Sequence, residues 1–260
     1  MVNSELEVQA LGELVGERRK ALGVSVPAET RITPKVPPAM TDGERTERAQ
    51  KYKELEDRKV LEERISRWKS LVVARGSRYE NCRLENFSVT CDEQRRAVAT
   101  LTEYCRDINA RVKTGDSVVL FGPRGTGKDH LAMSVCREAV KNGFTVRWQN
   151  GMDLFGDIRD AMDDSEGLTE RVLVERLVRP DVLYLSDPLP PIGMLTQFQA
   201  TMIFRILDAR YSRSRPIICT VNVSGGAELD ERMGAQNGDR LRDGATAIFC
   251  NWQSYRKVKA

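Results

Sequence analysis

Histidine occurs once in these 260 residues, as His130, and none of the six cysteines forms a C-x-x-C pair. A zinc site built on imidazole or paired thiols therefore has almost no material. Several cysteines sit in apolar runs, as reduced, buried thiols of a cytoplasmic protein do. No run approaches the roughly 18 consecutive apolar residues that a membrane span requires. The first twenty residues lack the basic-then-apolar order of a secretory signal. Excess charge is also missing: 41 Lys and Arg face 38 Asp and Glu, which excludes a histone-like or strongly acidic protein.

The small net charge of +3 is a cancellation. Residues 68–128 carry +4, residues 147–187 carry −5 and residues 205–260 carry +4. If the basic segments share a face, it would attract a polyanion; as ordinary surface charge they would not.

The length predicts one or two domains. Residues 4–22 suit a short helix, and residues 24–41 form a linker with four of the ten prolines. A long helix is expected from a cap at Asp42 to about Ala74. Its apolar stripe of Tyr52, Leu55, Leu61, Ile65, Trp68 and Val72 suits packing on a partner helix or on the chain's own core. Residues 1–75 then form a helical arm, and 76–260 a core.

In the second half strand and helix signals alternate. Strands are expected at Ser117–Phe121, Phe144–Trp148, Val182–Leu185, Pro216–Val221 and Ala245–Cys250. Helices are expected at about Gly127–Asn142, 151–178 and Phe198–Tyr211, with Phe198, Met202, Ile206 and Ala209 on one face and Trp148 in the core. This is the pattern of an α/β fold with a five-stranded parallel sheet covered on both faces.

The sharpest local signal is Gly122-Pro123-Arg124-Gly125-Thr126-Gly127-Lys128. It fits G-x-x-x-x-G-K, follows a predicted strand and opens a predicted helix. Such a loop converges backbone N–H groups and a helix N-terminus on phosphate oxygens, and its lysine bridges the outer phosphates. The pattern wants Ser or Thr next, to place a hydroxyl on Mg²⁺; here stands Asp129. A second acidic loop is expected after another strand, at Val182–Asp187. Ser186 occupies the place of its first acid and Asp187 that of its second.

The segment from Gly122 to Ala132, which reads GPRGTGKDHLA, resembles the phosphate loop of the DnaC/IstB type of AAA+ ATPase. Bacterial replicative-helicase loaders and transposition helper ATPases make up that family. The resemblance runs in order over about residues 60–260. It takes in Arg78-Tyr79, Leu84–Phe87, Asp181–Asp187, Pro216–Asn222, Asp239–Leu241 and Trp252–Arg256. It implies ATP and Mg²⁺ as cofactors. Residues 122–130, His130 among them, would hold the nucleotide, and Asn222 would be the sensor-1 residue. Arg256 would be the sensor-2 residue, and Arg240 an arginine finger, with Arg242 its rival. It also implies a homo-oligomer, no C-terminal lid domain, and sequence-independent contact with single-stranded or duplex DNA. The arm would grip a replicative helicase or a transposase. Each arginine also suits a plain surface charge, Asn222 a strand end, and His130 a packed helix residue.

The two departures look like an exchange of hydroxyl and carboxylate between loops at the ends of neighbouring strands. Asp129, Ser186 and Asp187 would then share one Mg²⁺. The competing expectation is a site that binds nucleotide with little turnover.

Overall fold

A computed structural model describes residues 41–163 and 169–256. The helix expected at 4–22 and the linker at 24–41 lie outside the described residues. Two compact units are separated after Lys53.

Helix α1 spans Asp42–Arg75, 34 residues. Thr41, rather than Asp42, caps it: the Thr41 N–H donates to Glu44 Oε2 at 2.8 Å, and Glu44 N–H donates to Thr41 Oγ1 at 3.3 Å. The expected stripe divides. Val72 is buried, as is Leu71 beside it, and Trp68 packs against the core, while Tyr52, Leu55, Leu61 and Ile65 stay exposed. The last turns of α1 are thus part of the core expected to begin at residue 76. Gly76, at φ +118°, ends the helix.

After two short 3₁₀ turns, Ser77–Tyr79 and Leu84–Asn86, come α2 (Asp92–Arg106) and α3 (Ile108–Thr114). Sequence patterning had not marked these two helices. Strand β1 (Val118–Phe121) leads through the phosphate loop into α4 (Lys128–Lys141), then β2 (Val146–Asn150) and α5 (Gly151–Asp163). There follow α6 (Glu170–Val178), β3 (Val182–Ser186), α7 (Gln197–Tyr211), β4 (Ile217–Val221), α8 (Gly226–Met233), α9 (Ala235–Arg242) and β5 (Thr246–Phe249).

All five strands are parallel, in the order β2-β3-β4-β1-β5. The three inner strands are buried at every position, as continuous apolar runs covered on both faces should be. Successive β1 side chains alternate between two cores. Val118 and Leu120 pack with α1–α4, and Val119 and Phe121 with α5–α9.

Two expectations need correction. β2 begins two residues later than the apolar pattern suggested. Gly143, at φ +92°, closes α4, and the Phe144 N–H donates to Ala139 O at 3.1 Å, so Phe144 staples the helix end and does not enter the sheet. Phe198 is 41% exposed in the first turn of α7, whereas Met202 and Ile206 on the same face are buried.

Candidate functional site

The C-terminal ends of β1, β2, β3 and β4 open onto one cavity of about 630 Å³. This edge is where ligands of open parallel sheets bind. Lys128, Asp187, Asn222 and Arg256 all line it, as do Arg124, Gly125, Gly127, Asp129 and His130.

The loop between β1 and α4 is wound tightly because glycines let it be. Gly125 and Gly127 sit at φ +86° and +88°, where side chains are strained. A Cβ on Gly127 would approach the Phe87 ring to 2.7 Å, and one on Gly125 would meet Ser254 Oγ at 2.1 Å. The chain's closing segment packs directly on the loop. Trp252 Nε1 donates to Thr126 O at 2.8 Å, and the Tyr255 N–H to Gly125 O at 2.9 Å. Phe87 meets His130, Trp252 and Tyr255 edge-on. Gly127→Ala should therefore lower the melting temperature by several degrees, from about 1–2 kcal/mol of left-handed strain plus the Phe87 clash. Thermal melting without ligand checks this, and an unchanged melting temperature would contradict the packing.

Lys128 is buried and donates to Gly122 O at 2.7 Å, Pro123 O at 2.8 Å and Asn222 Oδ1 at 3.0 Å. Asn222 Nδ2 donates to Asp187 Oδ1 at 2.7 Å. The residue after β4 thus ties the loop lysine to the residue after β3. Burial pulls the Lys128 ammonium below the usual lysine range, and Asp187 opposes that pull. Burial, then the nearby Asp129 carboxylate, raises Asp187 above the usual carboxylate range. Asp187 adopts φ +47°. The loop after it is close-fitting: a Cβ on Gly151 would lie 2.2 Å from Pro188 Cα. Arg232 donates to Pro190 O at 2.6 Å and Gly193 O at 2.9 Å, holding the proline-rich turn in place.

Other expected residues fall elsewhere. Strand β4 lies between β1 and β3, so the two loops do not sit on neighbouring strands. Ser186 is 1% exposed at the end of β3 and is absent from the cavity lining. Asp129 lines the cavity with both oxygens engaged: Oδ2 pairs with the Arg75 guanidinium at 3.0 Å, and Oδ1 accepts from the Tyr184 hydroxyl at 2.6 Å. Among the described residues no group of three or more His, Cys, Asp or Glu is placed to hold a metal ion. Asp187 is the cavity carboxylate without a cationic partner in ion-pair range among the described residues.

Arg240 lies in a separate 360 Å³ cavity walled by Gly115, Ser117 and Ile217, at the opposite, N-terminal ends of β1 and β4. It pairs with Asp208 at 3.0 Å and stacks on Tyr211. Arg242 is held by Asp230 through both oxygens at 2.7 Å. His130 Nε2 lies 2.9 Å from Arg83 O and 3.0 Å from Asn86 Oδ1, a packing role beside the loop. Sequence patterning passed over Arg75, Tyr184 and Tyr255, although the last two lie within the family-like segments Asp181–Asp187 and Trp252–Arg256.

The donor set fits a polyphosphate. Glycines clear the approach, a helix N-terminus faces the cavity, and Lys128 already holds three oxygen acceptors where phosphate oxygens would compete. The profile of the family described as IstB-like ATP binding protein matches residues 47–260. The chain belongs to this IstB-like ATP-binding family.

Relatives within and around the family agree. The replicative helicase loader DnaC of Escherichia coli K12 is 30% identical over 181 residues, covering 68% of this chain and 70% of the loader. The DnaC of Buchnera aphidicola from Baizongia pistaciae is 29% identical over 184 residues, covering 69% and 71%. A putative insertion sequence ATP-binding protein of Sinorhizobium fredii is 32% identical over 152 residues, covering 56% of this chain and 48% of its own length. In fold, the IstB-like chain is similar to a crystal structure of the DnaC helicase loader. The TM-score is 0.60 at 22% identity, over 67% of this chain and 99% of the other. A crystal structure of DnaI gives 0.54 at 19% identity, covering 68% and 91%. These bear out the α/β AAA+ core and the DnaC/IstB kinship. Among the described residues no helix is long and apolar enough to cross a membrane.

Proposed function

We propose that this chain binds Mg²⁺-ATP in the cavity beside Lys128 and uses nucleotide binding to load or remodel a replicative helicase on DNA. The observation that carries this reading is the convergence of Lys128, Asn222, Asp187 and Arg256 on one cavity around a glycine loop. The balanced coverage of the DnaC relatives, 68% of this chain and 70% of theirs, favours loading over transposition. Lys128 would exchange its backbone carbonyls for phosphate oxygens, and Asn222 would stay bonded to Asp187, which orients water. Arg124 and Arg256, which line the cavity, would meet phosphate charge. When bound, ATP supplies the phosphoryl group and Mg²⁺ offsets its charge; Asp187 is the side chain to hold the ion. Arg240, held by one ion pair and a ring, is freer than Arg242 to reach the site of a second copy.

The test mixes the full chain, ATP, single-stranded DNA and the replicative helicase of the same cell. The reading expects ATP-dependent deposition of helicase on DNA. A stable complex with an insertion-sequence transposase, and none with helicase, would move the protein to the transposition reading that the Sinorhizobium relative favours.

The ligand exchange is tested separately, by steady-state ATPase rates of Asp129→Thr, Ser186→Asp and the double variant. With Ser186 buried and β4 between the two loops, the double variant should be no faster than its slower parent. Ser186→Asp should also lower the melting temperature, because it buries a carboxylate. A double variant faster than both parents would restore the exchange.

A further inference from the structure

Asp129 is an anomaly for a polyphosphate site. It is the second residue of α4, where phosphate oxygens should approach, and it is acidic. A carboxylate suits a helix N-terminus by itself, but beside an anionic ligand it repels. The structure shows what occupies it. Its Oδ2 holds Arg75, the last residue of α1, and its Oδ1 holds the hydroxyl of Tyr184. Tyr184 is fully buried in β3, so that hydroxyl comes from a fixed direction. Arg75, with a side chain 15% exposed, is also confined. Its guanidinium lies 4.2 Å from the Tyr79 ring centroid and 5.1 Å from that of Trp148, and its Nε is buried with no hydrogen-bond partner among the described residues. Turning Asp129 toward a metal would strip a mostly buried guanidinium of its counter-charge and a buried phenol of its acceptor.

We propose that Asp129 is the anchor of Arg75, not a magnesium ligand, and that Arg75 neutralises it so that the loop takes a polyphosphate. Arg75 is then a positioning residue that joins the end of the long helix α1 to the first turn of α4. The neutralising half rests on the nucleotide site proposed above; the anchoring half does not.

The experiment uses the full chain with Arg75→Met, Asp129→Thr and the double variant, with Arg75→Lys as a milder change. A fluorescent non-hydrolysable ATP analogue is titrated in Mg²⁺ and in EDTA, and melting is followed without nucleotide. Arg75→Met should weaken nucleotide affinity about 10- to 100-fold, because a bare carboxylate then faces the phosphates at partly screened range. Adding Asp129→Thr to it should recover most of that loss, which a purely structural role for Arg75 would not allow. The melting losses of the single variants should be non-additive in the double variant.

A double variant no better than Arg75→Met overturns the neutralising role. Loss of affinity in Asp129→Thr that appears in Mg²⁺ and vanishes in EDTA makes Asp129 a metal ligand and overturns the proposal. Additive melting losses overturn the anchor. Wild-type protein that binds no nucleotide sinks the proposed function and the neutralising role together, while the melting cycle still decides the anchor.

Discussion

Lys128→Met should reduce ATP affinity by about 10²–10³-fold while the protein stays folded. The Lys128 ammonium is buried among Gly122 O, Pro123 O and Asn222 Oδ1, all within 3.0 Å. Burial already disfavours its charge, so it is primed to exchange neutral carbonyls for anionic oxygens. A charged hydrogen bond of this kind contributes about 1.5–3 kcal/mol, and a bridging ammonium makes more than one. The cost to the empty protein is smaller, because losing three acceptor contacts is partly offset by removing a desolvated charge. Melting should therefore shift by only a few degrees. Equilibrium titration with labelled ATP, beside a melting curve, checks both halves. Wild-type affinity in a folded variant would show that neither Lys128 nor the loop it closes holds the nucleotide.

The second large effect is on stability. Arg210→Met should lower the melting temperature by about 10 °C. Arg210 is completely buried in α7. Its guanidinium donates to Leu177 O at 2.8 Å, Val178 O at 3.3 Å, Pro180 O and Asp181 O at 3.0 Å, and Pro216 O at 2.7 Å. These carbonyls end α6 and begin β3 and β4, so one side chain closes three elements. Without it several acceptors are buried unpaired, at about 1–3 kcal/mol each before relaxation. A net loss of about 3–5 kcal/mol corresponds to roughly 10 °C for a domain of this size. Arg210→Lys should not restore the loss, since a point ammonium cannot span a planar fork's set of acceptors. Differential scanning calorimetry measures it, and a methionine variant that melts with wild type would show the carbonyls to be satisfied by other means.

Arg210 also shows where sequence patterning stops. A charged residue in an amphipathic helix reads as surface, yet this one is interior because five carbonyls from elsewhere in the chain surround it. Phe198 errs in the opposite direction: it shares a face with the buried Met202 and Ile206 but is exposed in the first turn of α7. In α1 the stripe from Tyr52 to Val72 is continuous in sequence, but only its last turns have a core to bury against.

The five parallel strands, the loop from Gly122 to Lys128 and the order of the family motifs were all legible in the sequence. They depend on local physics: apolar runs between helical periods, glycine where φ is positive, and a lysine at the head of a helix. Tertiary structure alone decided strand order, and with it the separation of Ser186 from the loop after β1, because pairing between distant strands leaves no mark on either one. It also decided which groups Asp129 pairs with. Beside Lys128 in sequence it reads as a metal ligand; in the fold a residue 54 positions earlier and another 55 positions later have already taken both its oxygens.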